Sequence, residues 1–324
     1  MISKDEILER ARVLSLQPSV VEKDYVLGWL LQEIGRHPEI SEDWVFKGGT
    51  CLKKIHVETY RFSEDLDFTL LDPTHLDPTF LEHVFREIAE TLYEHVGIDI
   101  PVDRLRFDLY ENLRGGKPAV QGRVYYRGPL GIPVMPRIKL DLTADEIVVE
   151  TPTRLVVAHD YSDQLPDGMT VLCYDYVEVF AEKVRALGER GRARDLYDVV
   201  HLFRRPEADD HVARVRSVLR QKCTFKALTE PTLDAVTPRR EEIRAQWVHM
   251  LGSQLPELPP FEMFWDALAT FFGWLDTPEI TPPSVAYELG AGRRFFILPS
   301  GLRCAGLARE FSMRSASRPL TIFA

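Results

Sequence analysis

The sequence is poor in cysteine and has none of the spacings that usually bind zinc. Its 324 residues include four cysteines, and no two of them form a CxxC pair: Cys51, Cys173, Cys223 and Cys304. Nine histidines occur, but never as HxxxH or HExxH. These absences argue against a zinc hydrolase and against a disulfide scaffold, and they favour reduced thiols.

Long apolar runs and two common catalytic motifs are also missing. No apolar run approaches the roughly 20 residues of a membrane helix, and Met1–Glu6 lack the apolar core of a secretion signal. Neither GxSxG nor the P-loop pattern GxxxxGK[ST] occurs, which weakens a serine hydrolase or P-loop ATPase interpretation. We therefore expect a globular, cytoplasmic protein with no membrane partner.

Basic residues are outnumbered over the whole chain but not in one stretch. The chain has 40 Lys or Arg and 50 Asp or Glu, a formal net charge of -10, which argues against nucleic-acid binding by the whole surface. Between Glu182 and Lys222, however, eleven basic residues occur with seven acidic ones. A local basic surface of this kind suits a nucleic-acid backbone.

The apolar pattern predicts mixed helices and strands in the first half and mainly helices in the second. The predicted strands are Trp44–Lys47, Asp65–Leu70, Leu105–Tyr110, Gly122–Tyr126 and Arg137–Leu142, with a short Phe295–Leu298 in the tail. The predicted helices begin after Ser3 and after Pro18, run over Leu81–Val96, include Val177–Leu187 and Leu196–Phe203, and end with Phe264–Leu275. We expect an α+β fold with domains at residues 1–170, 171–279 and 280–324, the last an accessory tail.

Two neighbouring motifs indicate phosphoryl-transfer chemistry. Phe46-Lys47-Gly48-Gly49-Thr50 places a glycine pair after a strand, where backbone amides can approach a triphosphate closely. Ser63-Glu64-Asp65-Leu66-Asp67-Phe68 follows, and because strand side chains alternate, its two aspartates share one face and can bridge a divalent metal. Asp-Leu-Asp alone is more often a solvated strand edge, but the glycine pair at this distance favours nucleotidyl transfer.

Other residues near these motifs have a functional and an ordinary interpretation. Asp141 can add a third carboxylate from a neighbouring strand or can simply begin a turn. Thr50 and Ser63 can donate to phosphate oxygens or cap a local turn. Lys47 can neutralise phosphate charge or remain an exposed lysine at the end of a strand.

A second cluster of charged residues lies in the predicted helical half. Glu178 and Glu182 are four residues apart, and Asp195 and Asp198 are three apart, so each pair shares a helix face. Lys183 borders the apolar stripe and can reach a triphosphate as a point charge. The alternative is an ordinary pair of helices joined by salt bridges.

Taken together, these blocks resemble the AbiEii family, the nucleotidyltransferase toxins of AbiE-type toxin-antitoxin and phage-defence systems, which include the mycobacterial MenT toxins. The resemblance rests on Gly48-Gly49-Thr50, Ser63-Glu64-Asp65-Leu66-Asp67, Glu182–Leu187 and Arg194–Asp198, and it covers about Val20 to Trp274. It implies a polymerase-β-like nucleotidyltransferase core followed by a helical domain. It also implies Mg²⁺, a nucleoside triphosphate (NTP) donor and an AbiEi-like antitoxin as partner. For MenT-like members it implies the tRNA 3′ end as acceptor, with loss of translation.

The resemblance also implies roles for particular residues. Asp65 and Asp67 are the strand carboxylates, Ser63 lies beside them, Lys183 is the helical lysine, and the later acid is Asp195 or Asp198. We therefore predict catalytic roles for Asp65, Asp67, Lys183, Asp198 and Asp195, nucleotide binding by Lys47, Gly48, Gly49, Thr50 and Ser63, and metal binding by Asp65, Asp67 and Asp141. Two alternatives stay open: transfer to a protein or small molecule, and a nucleotide-binding partner module without catalysis.

Overall fold

A computed structural model of the chain describes residues 1–57, 60–110, 118–163 and 168–277. The strand predicted at Phe295–Leu298 and the tail at 280–324 lie outside these residues. The strands are β1 (Trp44–Lys47), β2 (Asp65–Leu70), β3 (Arg106–Tyr110), β4 (Ala119–Tyr125), β5 (Arg137–Thr143), β6 (Thr153–Val157) and β7 (Met169–Cys173).

Helices precede, interrupt and follow these strands in chain order. They are α1 (Lys4–Leu14), α2 (Pro18–Arg36), α3 (Gly48–Cys51), α4 (Pro78–Val96), α5 (Tyr176–Arg190), α6 (Ala193–Phe203), α7 (Ala208–Phe225), α8 (Leu233–Val236), α9 (Arg240–Leu251), α10 (Phe261–Trp265) and α11 (Ala267–Leu275). A π-helical turn, Leu52–His56, continues α3. In the described residues, no helix combines the length and the apolar character needed to cross a bilayer.

The first helices begin where the sequence predicts. The Ser3 side chain accepts a hydrogen bond from the Glu6 amide and so caps α1, and Pro18 opens α2, where its missing N–H costs nothing. Most of α2 is buried, because it packs against β7 and α4.

The described strands form one mixed sheet in the order β3-β4-β5-β2-β1-β7-β6. β2 pairs with β1 in antiparallel and with β5 in parallel orientation. In β5 the apolar residues Ile138, Leu140 and Leu142 are buried, while the polar residues between them are more exposed. The α+β prediction with a mixed sheet, flanking helices and a mainly helical second half is confirmed.

The main differences from the predicted elements lie near the domain boundary and near residue 266. β6 and β7 have no counterpart among the predicted strands; β6 is an edge strand with four exposed residues, so it lacks an alternating apolar signal. The helix predicted at Phe264–Leu275 is divided into α10 and α11 at Asp266. A boundary after residue 170 falls within β7, and Met1–Thr277 form one compact unit. The division into domains stays a prediction.

Candidate active site

Three aspartates lie on one face of the neighbouring central strands β2 and β5, which is called the sheet edge of the site. β2 and β5 pair with Asp67 directly opposite Asp141 and with Asp65 opposite Lys139. On the other side of β2, Lys47 of β1 lies opposite Asp67. Because directly paired residues on one sheet face are close neighbours, this register brings the carboxylates of Asp65, Asp67 and Asp141 together.

These carboxylates line a cavity of about 270 Å³, the carboxylate cavity, which is bounded by the sheet edge on one side and by α5 and α6 on the other. Its lining consists of Gly49, Arg61, Ser63, Asp65, Asp67, Lys139, Asp141, Lys183, Arg190, Arg192, Arg194, Asp195 and Met250. Seven of the site residues predicted from the sequence thus line this one cavity: Gly49, Ser63, Asp65, Asp67, Asp141, Lys183 and Asp195.

The sheet side of the cavity holds carboxylates that are hard to ionise. Burial and then the neighbouring Asp141 raise the pKa of Asp67 to about 6, against the opposing pull of Lys47 and Lys183. Burial also raises the pKa of Asp65, with Lys139 opposing and Asp141 adding to the effect. Carboxylates that repel one another in a partly desolvated site are stabilised by a bound cation.

Asp141 differs from its two neighbours because it has a direct cationic partner. Lys139 Nζ lies 2.5 Å from Asp141 Oδ2, and the Gln121 side-chain amide donates weakly to Asp141 Oδ1 across 3.4 Å. Both Lys139 and Asp141 point to the same side of β5, as alternation requires. One oxygen of Asp141 is thus shared with an ammonium group at the cavity wall.

The backbone of Gly48 and Gly49 at the start of α3, here called the glycine turn, lies so close to polar side chains of the site that a Cβ would crowd them. Gly48 has φ +82°, and a Cβ there would lie 2.2 Å from Asp67 Oδ2. A Cβ on Gly49 would lie 2.9 Å from Arg61 Nη2 and 3.1 Å from Ser63 Oγ. Both positions thus keep the backbone next to the polar groups of the site.

Lys47 and Gly48 do not line the carboxylate cavity. They line a neighbouring cavity of about 200 Å³, which shares Asp67, Lys183 and Arg190 with it. Lys47 Nζ is 3.7 Å from Glu182 Oε1 and is buried. The residues predicted to bind the nucleotide are therefore divided between two neighbouring cavities: Gly49 lines the carboxylate cavity, and Lys47 and Gly48 line the other.

Thr50 lies behind the cavity wall. Its hydroxyl donates to the Asp65 backbone carbonyl across 2.5 Å, and the residue is buried. This bond joins α3 to Asp65, which is both the first residue of β2 and the first aspartate of the site. The structure thus gives the Thr50 hydroxyl a partner in the backbone.

Lys183 reaches the cavity from α5 and is held there by a buried acid. Its Nζ lies 2.8 Å from Asp198 Oδ2, and Arg61 binds the same carboxylate through Nε and Nη2 at 2.7 and 2.9 Å. Asp198 is 0% exposed and does not line the cavity. Although burial alone would raise it, Arg61 and Lys183 hold the pKa of Asp198 well below its ordinary range.

Asp195, the other candidate acid of α6, does line the cavity. Arg190 binds it with two parallel bonds, Nε to Oδ2 at 2.9 Å and Nη2 to Oδ1 at 2.8 Å. Arg194 lines the cavity nearby, and its Nε is buried without a hydrogen-bond partner among the described residues. Burial and then the neighbouring Arg61 lower the pKa of Arg194. An anion is the ligand that such a group lacks.

Arg61 is the residue that the sequence motifs do not reveal. It lies two residues before the Ser63–Asp67 block, is 2% exposed, and contacts both Asp198 and the Gln254 side chain, whose oxygen accepts from Nη1 at 2.9 Å. A basic residue two positions before the serine is the only local signal for it. Its partner Asp198 is 137 residues later in the chain, which no local pattern shows.

A larger cavity, of about 540 Å³, lies elsewhere in the described chain. It is lined by Arg10, Leu14, Asp24, Lys53, Lys54, Tyr60, Phe62, Ala158, His159, Asp160, Tyr161 and Pro256. Its two acids already pair with cations, Asp24 with Lys54 at 2.7 Å and Asp160 with Arg10 at 2.7 Å. Clustered carboxylates distinguish the smaller cavity, which is therefore the candidate active site.

Comparison with known proteins identifies the family of the chain. The family model described as "Nucleotidyl transferase AbiEii toxin, Type IV TA system" matches residues 29–270, about three quarters of the chain. The chain belongs to the AbiEii nucleotidyltransferase toxin family. No curated protein matches the sequence. The expected family is thus confirmed, and the matched AbiEii segment contains the complete lining of the carboxylate cavity.

A solved structure shows the same fold as this AbiEii member. MenT4, a nucleotidyltransferase toxin from Mycobacterium tuberculosis H37Rv, aligns with a TM-score of 0.59 and 20% sequence identity, over 86% of this chain and 91% of MenT4. At that identity the likeness concerns the fold. Membership in the family implies that the protein is a nucleotidyltransferase with an NTP substrate and an antitoxin partner.

Proposed function

We propose that the protein transfers a nucleoside monophosphate from an NTP to the 3′ end of an RNA, with tRNA as the acceptor, and thereby stops translation. One observation carries the proposal: Asp65, Asp67 and Asp141 lie across a single cavity from Lys183 and three arginines of α5 and α6. Acidic and cationic walls facing each other are what a metal-bound triphosphate requires.

The sheet edge fits Mg²⁺. Three carboxylates supply the hard oxygen ligands that this ion prefers, and burial together with the neighbouring Asp141 raises the pKa of Asp65 and Asp67, an effect that a bound cation would oppose. Asp65 and Asp67 would hold the ion with Asp141 beside them. When bound, it would lower the charge repulsion between phosphate and attacking hydroxyl.

The cationic side of the cavity suits a triphosphate. It is called the helical wall and consists of Lys183, Arg190, Arg192 and Arg194. Lys183, fixed by Asp198, and Arg194, whose Nε has no hydrogen-bond partner within the described part of the chain, provide donors for phosphate oxygens. In the transfer, the acceptor 3′-oxygen bonds to the α-phosphorus and the bond to the β-phosphate breaks, releasing pyrophosphate. A carboxylate oxygen of the sheet edge accepts the hydroxyl proton, and the cationic wall holds the leaving group.

An RNA acceptor is favoured by the charges around the cavity. Six cationic and four acidic side chains line it, in a chain whose net charge is -10. Arg192 is exposed at the start of α6, where it can meet a phosphate backbone. A modified tRNA 3′ end cannot be charged with an amino acid, and translation would therefore stop. In this proposal the protein acts in the cytoplasm, in a phage-defence system with an AbiEi-like antitoxin.

The direct test is incubation of the protein with total tRNA, Mg²⁺ and each of the four labelled NTPs. We expect label in the tRNA band with at least one nucleotide, and none with Asp65→Asn. Parallel reactions with cell protein and with small-molecule acceptors separate RNA transfer from the alternative acceptors. Absence of label with every nucleotide, from a protein shown to be folded, would contradict the proposal.

A further inference from the structure

Three side chains with soft or nitrogen donors meet behind the glycine turn. Cys51 ends α3, His56 ends the π-helical turn, and Cys173 ends β7. Both sulfur atoms and one ring nitrogen of His56 lie within 4.8 Å of one another. Cys51 and Cys173 are 0% exposed, and His56 is half-buried. The linear sequence conceals this cluster, because 122 positions separate its two cysteines in the numbering.

The backbone brings these residues together through two unusual features. Phe46 of β1 pairs with Cys173, so β7 ends beside the strand that leads into the glycine turn. Residues five apart in an α-helix point roughly 140° away from each other. The π-helical turn closes instead with an i to i+5 bond, Val57 N to Leu52 O at 2.8 Å, and returns His56 toward the side of Cys51. Such turns occur frequently at functional sites.

The hydrogen bonding of His56 prepares it to be a metal ligand. Its Nε2 lies 3.0 Å from the Tyr174 carbonyl oxygen. A carbonyl can only accept, so Nε2 carries the proton and Nδ1 keeps its lone pair. In metal sites, a ligating histidine commonly donates its other N–H to a backbone carbonyl, which fixes the ring orientation. Here that carbonyl belongs to the residue after Cys173.

We propose that Cys51, Cys173 and His56 bind one Zn²⁺, with the fourth position taken by water. Two thiolates and one imidazole are a known zinc ligand set, and sulfur ligands select zinc over Mg²⁺. Each thiol releases its proton on binding, and the Cys173 thiol gives up its contact with the Thr153 carbonyl, 3.4 Å away. The ion joins the end of the glycine turn to β7. This site is independent of the proposed transferase reaction.

The test measures metal in the full-length protein. After purification with a thiol reductant and without chelator, followed by addition of zinc and desalting, we expect about one zinc per chain by mass spectrometry. Replacement with Co²⁺ should produce thiolate-to-cobalt charge-transfer absorption. Cys51→Ser and Cys173→Ser should lose both signals. Cys223→Ser, which changes a buried cysteine outside the cluster, should keep both.

A second measurement avoids variants that fail to fold. In the wild-type protein, zinc should protect Cys51 and Cys173 from alkylation, and a zinc-selective chelator should abolish that protection while leaving Cys223 unchanged. Zinc content below about a tenth per chain after reconstitution would overturn the site. So would alkylation of both cysteines at the same measurable rate with and without chelator, in mild denaturant that makes these buried thiols reactive, or equal zinc loss in Cys223→Ser.

Discussion

The two walls of the carboxylate cavity use aspartate in opposite ways. On the sheet wall, Asp65 and Asp67 repel each other and Asp141, and burial raises the pKa of both. On the helical wall, Asp195 is bound by Arg190, and Asp198 by Arg61 and Lys183. Asp65 and Asp67 therefore favour a cation from outside the chain, whereas the helical aspartates orient cations that already belong to it.

This difference indicates which changes should affect chemistry and which should affect stability. Removing a sheet carboxylate relieves repulsion, so the fold should tolerate it while metal binding suffers. Removing a buried helical carboxylate leaves charges without a partner, so the fold should suffer first. The four predictions below test this contrast.

The largest effect should follow Asp67→Asn. We expect the rate of nucleotide transfer to fall by about 10³-fold, because the amide cannot replace the charge that holds the metal and triphosphate. Transfer is measured as labelled nucleotide incorporated into tRNA, and circular dichroism checks the fold. Asp77→Asn is the matched control, since Asp77 only caps α4 and asparagine caps equally well. Equal rates for the two variants would contradict a metal role for Asp67.

The next effect compares two aspartates of the same helix. Asp198→Ala should lower the free energy of unfolding by about 3–5 kcal/mol, because it leaves Arg61 and Lys183 unpaired in the interior. Asp195→Ala should cost less, about 1–2 kcal/mol, because its partner Arg190 is 47% exposed and can be hydrated. Urea unfolding measures both. A larger loss for Asp195→Ala would mean that we have assigned the buried support to the wrong acid.

A smaller effect should come from the glycine turn. Gly48→Ala should cost about 2–4 kcal/mol, from about 1–2 kcal/mol of left-handed backbone strain and a clash with the Asp67 carboxylate. Gly97→Ala is the control, since Gly97 has a similar positive φ of +74° and nothing within 4 Å of a Cβ, so it should show the strain alone. Thermal unfolding gives both values. Only Gly48→Ala should also reduce transfer; loss of activity in Gly97→Ala would point to a general defect.

The smallest effect concerns pH in the metal-free protein. Because the folded-state pKa of Asp67 is raised to about 6, the stabilising protonated form is present below about pH 4 and is lost as pH rises through 6. We expect Asp67 to contribute about 1–2 kcal/mol to this decline, after allowance for its partial exposure. Unfolding of wild type and Asp67→Asn in chelator between pH 4 and 7 isolates the contribution. Parallel curves would show that Asp67 titrates normally.

The sequence predicts the sheet side of the site better than the helical side. Alternation along a strand is local, so Asp65 and Asp67 are placed on one face by their spacing alone. Asp141 requires the register with β2, which the buried Ile138, Leu140 and Leu142 set. That register depends on packing with residues far away in the chain. From the sequence alone, Asp141 could therefore be either a third carboxylate of the site or the start of a turn.

The rest of the site depends on long-range contacts. Arg61 meets Asp198 and not Asp195 among the described contacts, and the spacing of three residues on α6 does not determine this. Which of the two is the functional acid stays a prediction. The meeting of Cys51 with Cys173 depends on β7, a strand that the pattern does not predict. How residues far apart in sequence come together is therefore what the structure adds.

The parallel pairing of β2 with β5 has a consequence for the growing chain. The acidic edge is complete only when Asp141 has left the ribosome, and the cationic wall only when α6 has followed. A nascent chain that ends before Arg190 carries the glycine turn and the aspartates but lacks every arginine of the helical wall. A protein proposed to disable translation is thus made in an order that delays its own activity until most of it has been synthesised.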